Sequence, residues 1–179
     1  KVVYTCTGSE AVDLALRTAR YTTGARGVIC TSNAYHGVTT AAAEISPSLG
    51  PHNEIPPHVV LVDAPDLYRE PAAAARERFA RDVGNAIDTL VDRGVGVAAM
   101  IVDSILSSDG VQADPADFLL PASELVRAAG GLWIADEVQP GFGRLGTGWW
   151  GYPRHGLEPD LVVLGRLRTA PPFAARPYT

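Results

Sequence analysis

Short apolar runs of strand length alternate along this 179-residue chain with stretches of helical character, and this alternation restricts the fold more than any other feature. The runs are residues 2–5, 27–31, 59–62, 97–102, 132–135 and 161–164. A run that is apolar throughout is typical of a strand buried on both faces, as in a parallel sheet covered by helices. We therefore predict an α/β fold with three layers, α/β/α, around a mostly parallel sheet.

The composition excludes several classes of function. A net charge of -5 without a basic cluster argues against a nucleic-acid partner. No apolar run approaches the roughly 20 residues of a membrane helix, so we expect no membrane segment. Cys6 and Cys30 have neither metal-ligand spacing nor the density of a disulfide framework. We expect two buried, free thiols in a reducing, cytoplasmic compartment and no metal site.

Polar residues follow the ends of several apolar runs. In an open parallel sheet, ligands bind in the crevice beyond the carboxyl ends of the strands. Gly8 and Ser9 lie at a turn from a strand into a helix, where free N–H groups can bind phosphate. An ordinary helix cap at Ser9 explains this pair equally well. Tyr35 and His36 follow the second run and can present a flat ring to a ligand.

Two further runs end on acids. Asp103 follows the fourth run, and Asp136 follows the fifth, with Gln139 close behind. Asp136 and Glu137 are adjacent on a strand, so they point to opposite faces and do not form a glycosidase-like pair of carboxylates. Alternation places Asp136 on the face of Ile134, and a buried acid there needs a cationic partner.

A second motif in this region suggests a different ligand. Residues 141–146 match the G-x-G-x-x-G pattern of dinucleotide-binding proteins. That pattern has to open a helix directly after a strand. Here residues 136–140 intervene, and the glycines, tryptophans and proline of residues 147–153 exclude a helix. A nicotinamide-binding domain therefore stays a third, weaker alternative, which nucleotide titration tests. The polar residues at the strand ends together favour a flat, phosphorylated ligand with a protonatable ring nitrogen. Pyridoxal 5′-phosphate (PLP) has that shape, and an acid opposite its ring nitrogen keeps the ring protonated.

At these residues the chain resembles a class III (ω-) aminotransferase of the PLP fold type I superfamily. The matching motifs are Thr-Gly-Ser-Glu-Ala (7–11), Tyr-His-Gly (35–37), Ile-Leu-Ser-Ser-Asp-Gly (105–110), Ile-Ala-Asp-Glu-Val-Gln-Pro-Gly-Phe-Gly-Arg (134–144) and Pro-Asp-Leu-Val-Val-Leu-Gly (159–165). They occur in the order of the family and at its approximate spacings. The resemblance implies a PLP-dependent enzyme that transfers an amino group between an amine or amino acid and a 2-oxo acid.

The resemblance also implies how the cofactor would be held. Gly8 and Ser9 would bind its phosphate. Tyr35 would stack on one face of the pyridine ring, with His36 beside it. Val138 would pack on the opposite face of the ring.

The acids and the amide have implied roles as well. Asp136 would pair with the ring nitrogen, and Gln139 would hydrogen-bond the ring hydroxyl. Asp103 belongs to the predicted cofactor site too. Asp103 and Ser104 stand where many relatives carry Glu-Pro, which suggests a branch near the alanine–glyoxylate-like and amino-alcohol-phosphate lyase enzymes.

The largest departure from the family pattern is Arg166. The family carries a lysine there, to which PLP is bound as a Schiff base, and a guanidinium cannot replace an amine in that reaction. The tail from 166 to 179 also differs from the family. A shifted reading frame near Gly165 and a degenerate gene copy both account for this. The alternative function is therefore a catalytically inactive, PLP-binding fragment or pseudoenzyme.

The resemblance predicts the domain organisation. Residues 1–165 would form part of a PLP-binding large domain, followed by the atypical tail 166–179. The chain begins at Lys1 without an initiator methionine. We expect a piece of a longer protein, because the family's N-terminal segment and C-terminal small domain are missing. The family's active sites form at a homodimer interface, so we expect the parent protein to be a homodimer.

Overall fold

The computed structural model describes residues 1–112 and 114–165 and contains one parallel sheet. Its strands are β1 (Gly27–Thr31), β2 (Val59–Val62), β3 (Val97–Asp103), β4 (Leu132–Asp136) and β5 (Leu161–Val163). They are arranged in the order β2-β1-β3-β4-β5, and every neighbouring pair is parallel. The helices are α1 (Gly8–Thr23), α2 (Thr40–Glu44), α3 (Ala72–Asp92) and α4 (Leu120–Ala128). The predicted α/β class is confirmed.

Helices cover both faces of the sheet. The side chains of the strands point alternately to the two faces, and on each face they form an apolar cluster with the helices that pack there. On one face, Ile101 and Ile134 pack with Leu16 of α1. On the other face, Trp133 packs with Phe79 of α3 and with α4. Each face therefore has its own core, and the sheet lies between them as the middle layer.

Helix α1 begins at Gly8, two residues earlier than an N-cap at Ser9 would place it. Its N-cap is Thr7, whose hydroxyl accepts a hydrogen bond from the Glu10 N–H at 3.1 Å. The Glu10 carboxylate accepts the Thr7 N–H in return, which completes a capping box. The prediction that Ser9 caps the helix was wrong, because Thr7 stands three residues before the acid and Ser9 does not. Gly24 ends the helix in the left-handed conformation.

The segment 2–5 is not a strand, although its composition predicted one. It lies outside the sheet, and Val2, Val3 and Tyr4 are 75%, 70% and 91% exposed. A strand is stabilised by the hydrogen bonds of a neighbour, and none of the described strands pairs with this segment. Apolar, β-branched residues alone therefore did not determine a strand here. Cys6, which follows this segment, is exposed for the same reason, so the prediction of two buried thiols is confirmed for Cys30 and wrong for Cys6.

In residues 1–112 and 114–165, no helix has the length and apolarity needed to cross a membrane. Over the same residues, no group of His, Cys, Asp or Glu side chains is arranged to hold a metal ion.

Candidate functional site

The candidate site lies at the carboxyl edge of the sheet, where β3 and β4 both end on an acid. Asp103 and Asp136 are paired in register on these neighbouring strands. Asp136 is 5% exposed and shares the face of Ile134, as the alternation predicted, so it points towards α1. The sequence therefore places a buried carboxylate at the edge where ligands of open sheets bind.

Asp136 is held by a histidine from a distant part of the chain. The Nδ1 atom of His36 lies 2.7 Å from Oδ2 of Asp136, and both side chains are buried. The second carboxylate oxygen of Asp136 accepts the N–H of Val138 at 3.1 Å. These two hydrogen bonds fix the orientation of the carboxylate before a ligand arrives.

His36 is itself anchored through its backbone. Its N–H donates to Oγ of Ser46 at 2.8 Å, and the Ser46 hydroxyl donates to the carbonyl of Ala42 in α2. Ser46 lies in a loop whose sequence carries no motif, so the sequence pattern gave no sign of it. Nε2 of His36 is buried and has no hydrogen-bond partner among the described residues. A buried polar atom of this kind suits a site that a polar ligand completes.

The turn that leads into α1 faces the same side of the sheet. The N–H groups of Gly8 and Ser9 make no hydrogen bond within the described part of the chain. A Cβ at Gly8 would lie 3.4 Å from Cγ2 of Val138, and one at Gly165 would lie 3.2 Å from the same atom. The two glycines therefore enclose Val138. The helix N-terminus offers two free donors and a favourable dipole to an anion.

The remaining predicted residues surround this turn and the acid. Tyr35 directly precedes His36 and is 47% exposed, which leaves a ring face free for contact. Gln139 is exposed, and its carbonyl accepts the Nε–H of Arg144 at 2.6 Å. Arg166, the residue in the lysine position, lies outside the described residues.

Asp103 stands beside Asp136, but its carboxylate is bound within its own loop. It accepts the N–H of Ile105 at 2.9 Å and a hydrogen bond from the hydroxyl of Ser107. Burial raises the pKa of Asp103 to about 6, and the nearby Asp136 charge adds to the increase. Asp103 is therefore a neighbouring acid that titrates close to neutrality.

Glu137 points to the opposite face, as the alternation predicted, and there it has a function that the sequence motif did not reveal. It is fully buried and accepts the hydroxyl of Ser104 at 2.5 Å. It also accepts the N–H groups of Gly151 and Tyr152 at 2.7 and 2.9 Å. Burial raises the pKa of Glu137, and these donors partly oppose the increase. Glu137 thus fastens the segment 140–151 to the end of β4.

Together these residues fit a flat, phosphorylated ligand with a cationic ring nitrogen. The turn at Gly8 and Ser9 supplies hydrogen-bond donors, Tyr35 supplies an aromatic face, and Asp136 supplies an oriented carboxylate. A doubly charged phosphate is favoured at a helix N-terminus, and a ring cation is favoured beside a buried carboxylate.

Comparisons with known proteins agree with this geometry. The family model "Aminotransferase class-III" matches residues 1–176. The chain is 37% identical over 169 residues to an alanine–glyoxylate aminotransferase 2-like protein of Drosophila melanogaster, covering 89% of the chain and 34% of that protein. It is 34% identical to an ethanolamine-phosphate phospho-lyase homolog of Caenorhabditis elegans, covering 92% of the chain and 39% of that protein.

A solved structure is similar as well. A phospholyase from Arthrobacter in complex with phosphoethanolamine matches with a TM-score of 0.84 and 41% identity. The match covers 90% of this chain and 39% of that one. The chain therefore spans little more than a third of the length of each of these proteins.

Proposed function

The chain belongs to the class-III aminotransferase family, and from that premise we propose that it forms the cofactor-binding part of an enzyme that moves an amino group between an amine or amino acid and a 2-oxo acid. Class-III aminotransferases use PLP as their cofactor. The observation that carries the proposal is the buried pair of His36 and Asp136, 2.7 Å apart, at the sheet edge that also presents the free N–H groups of Gly8 and Ser9.

The phosphate of PLP would bind at the turn before α1. The N–H groups of Gly8 and Ser9 would donate to its oxygens, and the positive end of the helix dipole would favour its charge. Gly8 has no side chain to obstruct this approach, and Val138 limits the space on its inner side. These contacts bind the cofactor and set its distance from the sheet edge.

The ring would lie between Tyr35 and Val138, above the end of β4. When bound, PLP supplies an electron-accepting pyridine ring to the substrate. Asp136 would hold a proton on the ring nitrogen, because an oriented carboxylate favours the cationic form. His36 keeps that carboxylate in place through its bond to Oδ2. Gln139 would orient the ring hydroxyl by a hydrogen bond.

PLP titration of the full-length protein tests this proposal. We expect saturable binding, seen in the visible absorbance of the cofactor, and amino transfer to a 2-oxo acid. Borohydride should fix the cofactor to a lysine of an active protein. A full-length protein that binds no PLP would contradict the proposal.

A second candidate function is PLP binding without catalysis, and Arg166 favours it. The lysine position carries a guanidinium that stays protonated and cannot bond covalently to the cofactor aldehyde. We expect Arg166→Lys in the full-length protein to restore covalent trapping by borohydride if the site is otherwise competent. Trapping without turnover after this substitution would favour the binding-only function.

The reaction type is also open to a direct test, because two of the similar proteins described above are named as phospho-lyases. Both reactions would use the same cofactor. Incubation with phosphoethanolamine distinguishes them, since a phospho-lyase releases inorganic phosphate without any 2-oxo acid. Amino transfer should instead require the 2-oxo acid and release no phosphate.

We further propose a homodimeric parent protein in the cytoplasm. The aromatic side chains of Phe142 and Trp149 are 49% and 70% exposed in the segment that follows Gln139, which supports a partner subunit that covers this segment. Both cysteines are free thiols, which supports a reducing compartment. Sedimentation of the full-length protein and cell fractionation test the two proposals.

A further inference from the structure

Gly37 lies closer to the turn at Gly8 and Ser9, which we call the phosphate turn, than a residue with a side chain could. Its φ is +131°, a conformation that L-residues rarely adopt. A Cβ at this position would lie 2.5 Å from Oγ of Ser9 and 2.9 Å from its Cα and Cβ atoms. The backbone at Gly37 therefore lies directly against Ser9, and only glycine fits.

The two residues after Gly37 bind Ser9 from the same side. The N–H of Val38 donates to Oγ of Ser9 at 3.1 Å. The hydroxyl of Thr39 donates to the Ser9 carbonyl at 3.2 Å. Ser9 is thus held at its side chain and its backbone by a segment that follows Tyr35 and His36 without interruption.

This arrangement determines how the Ser9 hydroxyl can act. Its oxygen already accepts the Val38 N–H, so the hydroxyl proton remains to be donated elsewhere. No described residue accepts that proton. A hydroxyl oriented in this way is ready to donate to an anion at the N-terminus of α1.

We propose that Gly37 is a positioning residue that fixes the Ser9 hydroxyl as a phosphate donor and joins the phosphate turn to the ring-binding residues Tyr35 and His36. This inference rests on the proposed function, because it assigns the phosphate of PLP to the turn. In this role Gly37 would act through Ser9 and not through a contact of its own with the cofactor.

The test compares PLP with pyridoxal, which lacks the phosphate, in binding to the full-length protein. A tryptophan-fluorescence titration gives both affinities. A role limited to general stability would change the two affinities together. We expect Gly37→Ala to lower the affinity for PLP by about tenfold or more, which corresponds to one charge-assisted hydrogen bond, and to leave pyridoxal within about twofold.

A matched control comes from Gly50. It also has a positive φ, +107°, but a Cβ there would meet no atom within 4 Å. Gly50→Ala therefore imposes backbone strain without contact to Ser9, and it should leave the ratio of the two affinities unchanged. Thr39→Val removes one hydrogen bond to Ser9 without adding a clash. Like Gly37→Ala, it should lower the ratio of the PLP affinity to the pyridoxal affinity.

The outcomes separate the two proposals. Equal losses for PLP and pyridoxal in Gly37→Ala, or an unchanged ratio in Thr39→Val, overturn the role of Gly37. Thr39→Val alone decides the matter if Gly37→Ala does not fold. A wild-type protein that binds PLP no better than pyridoxal contradicts the phosphate assignment in the proposed function, and the role of Gly37 with it.

Discussion

At the scale of single residues, Asp136 has both of its carboxylate oxygens engaged, one by His36 and one by the N–H of Val138. A carboxylate oriented in this way needs little reorganisation to stabilise a cation beside it. The same two bonds leave it able to accept a further donor, because each oxygen has two lone pairs. Asp136 is therefore a preorganised acceptor and not an ordinary buried acid.

The role proposed for Asp136 can be tested by substitution in the full-length protein. We expect Asp136→Asn to reduce amino transfer by about a hundredfold or more, because a neutral amide does not hold the ring proton. The fold should be preserved, since an amide of the same shape still accepts a hydrogen bond. Asp88→Asn, on the exposed face of α3, is the control and should retain activity. Near-wild-type turnover in Asp136→Asn would remove the proposed role.

The raised pKa of Asp103 should make the free energy of unfolding depend on pH. Its pKa of about 6 in the folded protein lies above the ordinary value of 3.8, so the folded protein retains a proton that the unfolded chain has released. Stability is therefore lost as the pH rises between these values. We expect Asp103→Asn to be more stable than wild type by about 3 kcal/mol at neutral pH and equal to it near pH 4. Urea unfolding at several pH values measures this, and a difference independent of pH would contradict it.

At the scale of elements, the strands of the sheet could be predicted from sequence, because runs that are apolar on both faces have few alternatives. The face of Asp136 followed from simple alternation with Ile134. The segment 2–5 could not be predicted correctly, since its composition is that of a strand but pairing depends on a neighbour. The bond from His36 to Asp136 was also beyond prediction, because it depends on how distant loops meet across the sheet.

The segment 140–151 depends on one buried side chain, Glu137. In Glu137→Gln, the amide group must replace one of the two carboxylate oxygens, so the N–H of Gly151 or of Tyr152 loses its acceptor. We expect a loss of about 1–3 kcal/mol in the free energy of unfolding. Hydrogen exchange should also be faster at Gly151 and Tyr152. Glu124→Gln, at an exposed position of α4, should change neither quantity.

At the scale of the whole molecule, the sheet has an open edge at β5. No described strand pairs with its outer side, and Val162 and Leu164 are 38% and 40% exposed. The apolar side chains of Val2, Val3 and Tyr4 are exposed as well. Unpaired edges and apolar patches of this kind favour association between chains.

We therefore expect the 179-residue chain, expressed alone, to self-associate with increasing concentration. Val162→Lys places a charge on the edge strand and should reduce association, as charged edge residues do. Val91→Lys, at an exposed position of α3 away from that edge, is the matched control and should have no such effect. Sedimentation velocity measures both, and a chain that stays monomeric at high concentration would contradict the expectation.

The bond between His36 and Asp136 has a consequence for the order in which the molecule folds. It joins positions one hundred residues apart, and β3 lies between β1, which precedes His36, and β4, which ends on Asp136. Neither residue can reach the other until β3 and β4 have been added beside β1. Contacts with such large sequence separation form slowly, because the chain between them must be ordered first. Pairing of His36 with Asp136 is thus a marker of a completed sheet, and a folding intermediate that has only β1, β2 and β3 would have no site to offer a ligand.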